Sequence, residues 1–576
     1  MSLSNVVQFA VFLGVVALLV KPVGSYLLRV FSGQKTVLDP VMRPVERFIY
    51  RLTGIDAERQ MNGKQYAIAF VLFSLAGTLL LYLILRLQAI LPGGAHTEMS
   101  TQLTPDLAFN TAISFSTTTT WQAYAGEMTM SYVSQMVGLT AQNFLAGAAG
   151  LAVGIAFIRG FARQRTDQLG SFWVDIVRAM LWVLLPVSLV GSVFLIWQGV
   201  PMNFQPYTQA TTVEGAHQII AQGPVAALAF IEELGTNGGG FFNANAAHPF
   251  QNPTPLTNFV ELLAIVVLPA ALTYTFGRMI NRPREGWLLF WVMTVLFAAG
   301  LVLGGMAEQA GNPQVTASAH VAQAASATQP GGNMEGKEVR FGIGGSVLSA
   351  VSTSNGATGA TNSSHDSYTP LGGLVPLANM LLGEMNYGGL GTGLYSILFV
   401  ALLGIFVTGL MVGRTPEYVG KRIGEHEVKL IAVYTLMGPA GVLLLAALAS
   451  VTSAGLAGLT TNSGPHGLTE MLYAYTSSFG NNGQTFAGLS ANSTFYNVTT
   501  AVVMLFGRFG LAIPALLVAQ RVALQPTRQP TRGTLPTDTV LFGVIVIGTA
   551  AIVVALTYLP VIALGPLIEQ LKLLGH

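Results

Sequence analysis

The sequence predicts an all-α polytopic membrane protein. Ten transmembrane helices are expected, arranged as four helix–pore-loop–helix pseudo-repeats around a central pore, with one extra helix at each end. Three observations carry this. The 576 residues are 52% hydrophobic and only 9% charged, whereas a soluble domain is about 25% charged. Long apolar runs recur along the chain. Polar, small-residue loops recur between them in register. The charge deficit excludes a water-covered globular surface, and the net charge of +2 gives no reason to expect a nucleic-acid partner. With no cysteine, disulfides, thiolate metal sites and cysteine nucleophiles are excluded.

A spanning helix needs about 20 mostly apolar residues. Ten runs qualify: 6–28, 66–90, 133–158, 179–197, 259–276, 287–306, 390–412, 430–456, 498–520 and 540–564. The first has no cation before its apolar run and Lys21 near its end, the wrong flank for a cleaved signal peptide. The basic residues then alternate. Arg29 to Lys64 follow the first run, Arg159 to Arg178 the third, Arg278 to Arg284 the fifth, Arg414 to Lys429 the seventh and Arg521 to Arg532 the ninth. Loops 91–132, 198–258 and 457–497 hold no Lys or Arg, and loop 307–389 holds only Lys337 and Arg340. The positive-inside rule places the basic loops in the cytoplasm and both termini outside.

Each loop after an even-numbered run ends in an apolar stretch too short to span: 107–115, 224–234, 374–382 and 468–475. A small-residue segment and a full-length run follow each. The chain therefore reads as one transmembrane domain: first helix and loop 1–63, repeats 64–165, 166–282, 283–425 and 426–533, and last helix 534–576. The insert 307–369, rich in Ala, Gly, Ser and Thr, reads as an external excursion with little core of its own.

The four segments after the short helices are 116–122 (Ser-Thr-Thr-Thr-Thr-Trp-Gln), 235–241 (Gly-Thr-Asn-Gly-Gly-Gly-Phe), 388–394 (Gly-Gly-Leu-Gly-Thr-Gly-Leu) and 480–486 (Gly-Asn-Asn-Gly-Gln-Thr-Phe). Non-helical backbone at membrane depth must be buried in protein or line a wet cavity. Glycine permits positive φ, so successive carbonyls can face one side. A ring of such oxygens replaces the hydration shell of a monovalent cation, and the negative C-terminal ends of the short helices favour the same charge. A single Gly-rich loop is usually only a turn; four in register are what suggest a filter.

Segments 235–250, 388–395 and 480–488, with 333–338 (Asn-Met-Glu-Gly-Lys-Glu) and 414–418 (Arg-Thr-Pro-Glu-Tyr), resemble the potassium-translocating (A) subunit of the Kdp P-type potassium-transporting ATPase. The resemblance runs along the whole chain. It implies K+ as the transported ion, with filter residues Thr117, Thr118, Thr119, Thr120 and Gln122; Gly235, Thr236, Asn237, Gly238 and Gly239; Gly388, Gly389, Leu390 and Gly391; and Gly480, Asn481, Asn482 and Gly483. It further implies a catalytic P-type ATPase subunit, small accessory membrane subunits and residence in the bacterial inner membrane. The first segment departs from the glycine pattern, so hydroxyls can join carbonyls as ligands there. No segment reads Thr-Val-Gly-Tyr-Gly, so a shorter filter than that of potassium channels is expected.

Charges inside a membrane are costly and often functional. Arg508 interrupts the run 498–520; it is either a barrier below the filter or a tie to backbone carbonyls. Glu233 and Glu384 are candidates for an outer cation-attracting field, with helix bracing as the alternative. Gly404 and Gly409 in run 390–412 suit either a bending gate or close packing. The chain has no Asp-Lys-Thr-Gly phosphorylation motif. The stretch 331–338 has the spacing of a nucleotide loop, but Glu338 stands where a Mg²⁺-binding Ser or Thr is needed, so no ATP site is expected in this chain. ATP hydrolysis then belongs to a partner. The other reading is a self-sufficient channel-like K+ transporter of the same architecture, driven by membrane potential or cotransport.

Overall fold

The computed structural model describes residues 1–91, 103–327, 329–529 and 533–575. Its elements are almost all helical. They are α1 (Leu3–Phe31), α2 (Asp39–Thr53), α3 (Gly63–Leu87), α4 (Pro105–Ser116), α5 (Ser134–Ala162), α6 (Phe172–Trp197), α7 (Val225–Leu234), α8 (Pro255–Met279) and α9 (Pro283–Gln309). Then come α10 (Gly342–Asn355), α11 (Pro370–Leu381), α12 (Thr392–Val412), α13 (Glu425–Val451), α14 (Gly464–Phe479), α15 (Thr494–Leu524), α16 (Val540–Ile562) and α17 (Ile568–Leu573). Among the described residues there are three two-stranded antiparallel ladders: two hairpins, such as Thr208–Thr211 with His217–Ile220, and a long-range pair joining Met61–Asn62 to Gln168–Gly170.

Among the described residues, ten helices are long and apolar enough to cross a membrane; the chain is a multi-pass membrane protein. Each expected run lies on one of them, extended by a turn or so where polar caps start the helix. Asn62 and Gln65 form a reciprocal cap on α3, and Ser493 receives the Tyr496 amide at the start of α15. Such caps satisfy amides that have no partner within the helix.

Burial sorts the helices. In α5, 89% of the apolar window is buried, against 22% for α1, α13 and α16. The Ala- and Gly-rich α5 is therefore the inner post, packed against α15, α3 and α4, while α1, which lies along α8, keeps one face outward. Small residues let helix backbones approach in the absence of a hydrophobic drive between helices. At Gly160 an added Cβ would stand 2.6 Å from Ala519 of α15.

Two expectations for the third repeat need correction. Segment 307–369 is not an external excursion without a core. Within it, every residue of α10 from Ile343 to Asn355 is buried, and α10 packs on α8, α9 and α11. Nor is α11 the third short pore helix. In repeats one, two and four, a short helix (α4, α7, α14) leads through a loop into one long helix (α5, α8, α15). In repeat three the short helix is α10, and the long helix is broken in two, α11 and α12, around 382–391.

Candidate functional site

Four segments leave the short helices in the same way. The residues closing α4, α7, α10 and α14 are Thr117 (φ −96, ψ 4), Gly235 (φ −76, ψ −4), Gly356 (φ −72, ψ −2) and Gly480 (φ −71, ψ 3). From there the sign of φ alternates. Over the first four residues of each segment, positive values occur at Thr118 and Thr120, at Thr236 and Gly238, at Ala357 and Gly359, and at Asn481 and Gly483, with Gly239 just beyond also positive. The third residue of each segment anchors back to its own helix: Thr119 N to Ser114 O (2.9 Å), Asn237 N to Glu232 O (2.9 Å), Thr358 N to Thr353 O (3.1 Å) and Asn482 N to Ser477 O (2.8 Å). The four are one motif in one register. Alternating the hand of φ turns successive peptide planes so that their carbonyls share a side, the arrangement that coordinates a desolvated cation.

The segments also close on each other. Thr120 Oγ1 donates to the Asn237 carbonyl. A Cβ at Gly238 would overlap the Thr358 carbonyl oxygen, one at Gly359 the Asn482 carbonyl oxygen, and one at Gly483 the Thr119 carbonyl oxygen. The circuit from first to second to third to fourth and back to first is complete. Side chains tie it: Gln122 donates to Gly240 O (3.1 Å) and accepts from Gly240 N (2.9 Å). Asn481 donates to Thr119 Oγ1 (2.9 Å), and Asn482 donates to Ser354 O (3.0 Å). A cavity of about 750 Å³ opens above, lined among others by Thr120, Gly239, Gly359 and Gly483, one from each segment.

The structure brings together the expected residues of segments one, two and four. It does not bring Gly388, Gly389, Leu390 and Gly391 into the circuit. The third member is 356–359, Gly-Ala-Thr-Gly. In 382–391 positive φ falls on Gly383, Glu384, Tyr387 and Gly391, so after the helix-closing Leu382 the second and third residues are both positive, unlike the second and fourth in the ring segments. This loop instead packs beside the ring. Leu390 N donates to Thr236 Oγ1 (3.0 Å), and Gly391 lies against Gly154 of α5, where a Cβ would come within 2.5 Å. The signal for the true third segment was present as Gly356, two residues, Gly359 behind the small-residue run 342–355.

Arg508 is 6% exposed. Its Nη1 donates to Thr118 Oγ1 (3.0 Å) and its Nη2 to Ala146 O (2.8 Å), with the guanidinium 5.5 Å from the Phe70 ring centre. It thus touches the first ring segment and also ties α15 to α5. Glu233 and Glu384 are 2% and 4% exposed, and neither lines the cavity above the ring. Both carboxylates are interior and stand outside that wall, where Glu338 is the acidic group among the described residues. An added Cβ at Gly404 would stand 2.8 Å from Thr549 Oγ1 of α16, and one at Gly409 would stand 3.0 Å from the Arg414 carbonyl oxygen; both glycines are closely packed. The nucleotide-loop look-alike holds Lys337 in a buried pair with Glu308 (2.7 Å) and over the Tyr368 ring (4.0 Å).

The family model for KdpA, potassium-transporting ATPase A subunit, matches residues 10–571. The chain belongs to this family. Relatives include the potassium-transporting ATPase potassium-binding subunit of Methylobacterium nodulans, 52% identical over 99% of this chain and 98% of that protein. The subunits of the same name from Rhodospirillum centenum (48% identical, 100% of this chain, 98% of that protein) and Solibacter usitatus (49%, 99% and 98%) are similar along their length.

Proposed function

We propose that this chain is the potassium-binding and translocating subunit of an ATP-driven K+ uptake pump. The observation that carries this is the closed circuit of four segments sharing one alternating-φ motif. Carbonyl oxygens of 117–120, 235–238, 356–359 and 480–483, with the Thr117 and Thr119 hydroxyls near them, form the proposed K+ site. The cavity above admits the ion from the extracytoplasmic side. The short-helix C-terminal ends add negative potential. The basic loops face the cytoplasm of a bacterial inner membrane and both termini lie outside. The proposed partners are a catalytic P-type ATPase subunit, where ATP is hydrolysed, and small accessory membrane subunits; the relatives' names support the first. The positive charge of Arg508 below the first segment opposes free passage straight through this chain.

The test is K+-stimulated ATP hydrolysis by the purified complex, comparing wild type with Gly238→Asp and Gln122→Arg. Both substitutions are expected to weaken or broaden the ion response. Passage of K+ through the isolated chain in vesicles without ATP would overturn the pump assignment.

A further inference from the structure

Outside the ring, one group of side chains has metal-ligand geometry. His466 and Glu470 lie one turn apart on α14, Asp366 follows the third ring segment, and Glu569 comes from α17. Ligand atoms of Asp366, His466 and Glu470 all lie within 4.8 Å of one another. His466 Nε2 is 2.8 Å from Asp366 Oδ1 and 4.0 Å from Glu470 Oε1. A tetrahedral ion with ~2.05 Å bonds separates its ligands by roughly 3.3 Å, which falls between these two spacings.

A second observation concerns Glu470, a member of the same group. Glu470 is 0% exposed, and its Oε2 has no hydrogen-bond partner. A buried carboxylate oxygen left bare is costly unless a cation or a donor meets it. Its other oxygen accepts from Asn462 Nδ2 (2.6 Å), which also reaches toward Asp366 Oδ2 (3.4 Å). One amide thus orients both carboxylates. On the far side of the imidazole, Nδ1 lies 2.7 Å from Glu569 Oε1. Nε2 itself lies 2.8 Å from Asp366 Oδ1, so a metal bound there takes the place of the proton between these two atoms, while the Nδ1 contact with Glu569 orients the ring as in carboxylate–histidine–metal sites.

We propose that Asp366, His466 and Glu470 bind a divalent cation of the zinc class, with water in the fourth position and Glu569 and Asn462 orienting the ligands. One nitrogen and two carboxylate oxygens suit Zn²⁺ and its borderline neighbours rather than Ca²⁺ or Mg²⁺, which take all-oxygen shells. The ion pins the loop after the third ring segment to the fourth short helix and to the C-terminal helix. Its role is structural.

The experiment uses the intact complex, treated with a chelator and then dialysed against Zn²⁺. Zinc per chain is measured for wild type, Asp366→Asn, Glu470→Gln and Glu569→Gln, with the thermal midpoint of wild type before and after Zn²⁺ is restored. The expected result is one zinc per wild-type chain above the level of the two ligand variants. A 10- to 100-fold weaker affinity is expected in Glu569→Gln, the usual effect of losing an orienting carboxylate, together with a rise in the wild-type midpoint when Zn²⁺ returns. Equal zinc in wild type and both ligand variants would overturn the proposal. So would a wild-type protein that holds no zinc after dialysis and whose midpoint does not respond to Zn²⁺, which would mean that His466 is held there by a proton alone. The wild-type chelation arm stands even if a variant fails to fold.

Discussion

Replacing Gly359 by Ala separates the ring described above from one that uses 388–391. Gly359 has φ +91, and an added Cβ would overlap the Asn482 carbonyl oxygen. Forcing a non-glycine residue into left-handed backbone costs roughly 1–2 kcal/mol, and overpacking costs roughly 1–3 kcal/mol. Asn482 is anchored on both sides, by Ser477 O through its amide and by Ser354 O through its side chain. The strain is therefore relieved by displacing a ring carbonyl. About 2–4 kcal/mol concentrated there corresponds to roughly 30- to 700-fold weaker ion binding. Gly389→Ala is the matched control. Its added Cβ would meet Ala357, Glu384 and Thr236 atoms at 3.4–3.5 Å, ordinary contact, without positive φ. It is expected to stay within roughly threefold of wild type, since ordinary van der Waals contact with no positive φ displaces no ring carbonyl. The assay is the K+ concentration for half-maximal ATP hydrolysis by the assembled complex, with subunit content checked on gels. Unchanged affinity in Gly359→Ala, or a larger loss in Gly389→Ala, would refute the assignment of 356–359 to the ring.

Three further outcomes follow from the same contacts. Arg508→Met removes a positive charge from the Thr118 hydroxyl. For an ion ~8 Å away at an effective dielectric of ~20, the lost repulsion is about 2 kcal/mol, so ATP-independent Rb+ uptake into vesicles should rise roughly 30-fold; no change would make Arg508 a tie between α5 and α15. Lys337→Met strands buried Glu308, whose other oxygen accepts from Thr369 N and Oγ1 (2.9 and 2.8 Å). It should destabilise the protein by about 3–5 kcal/mol, and adding Glu308→Gln should recover part of the loss in a detergent melting experiment. His248 stacks on Phe242 at 3.7 Å, and burial, aided by Arg340, pulls its pKa down to about 4. The unfolded chain binds this proton more tightly, so stability should fall as pH drops from ~6.5 toward 4 and level off below that. His248→Phe should flatten that part of the profile; an unchanged profile would place the dependence elsewhere.

Much of the architecture was legible because apolar length and Lys/Arg alternation are strong physical constraints in a bilayer. The same holds for three ring segments, where a short apolar helix ends at a small-residue turn. The third failed for a specific reason. Its helix, α10, is built from Gly, Ser, Thr and Ala and reads as a polar external loop, yet it is buried because its neighbours α8, α9 and α11 enclose it. Nearby, α11 and 388–391 offer a more apolar helix and a denser glycine run, the pattern that reads as a pore loop. Apolar length locates helices that span, lipid-facing or enclosed; it does not locate a short helix rich in Gly and Ser that other helices enclose. The interior placement of Glu233 and Glu384 was likewise set by tertiary packing, which spacing along the chain does not encode.

The most direct measurement is the anomalous scattering of Rb+ in crystals of the complex. An ion peak bounded by 117–120, 235–238, 356–359 and 480–483 is the expected result. A peak held by 388–391, or ion density away from the ring altogether, would contradict the account.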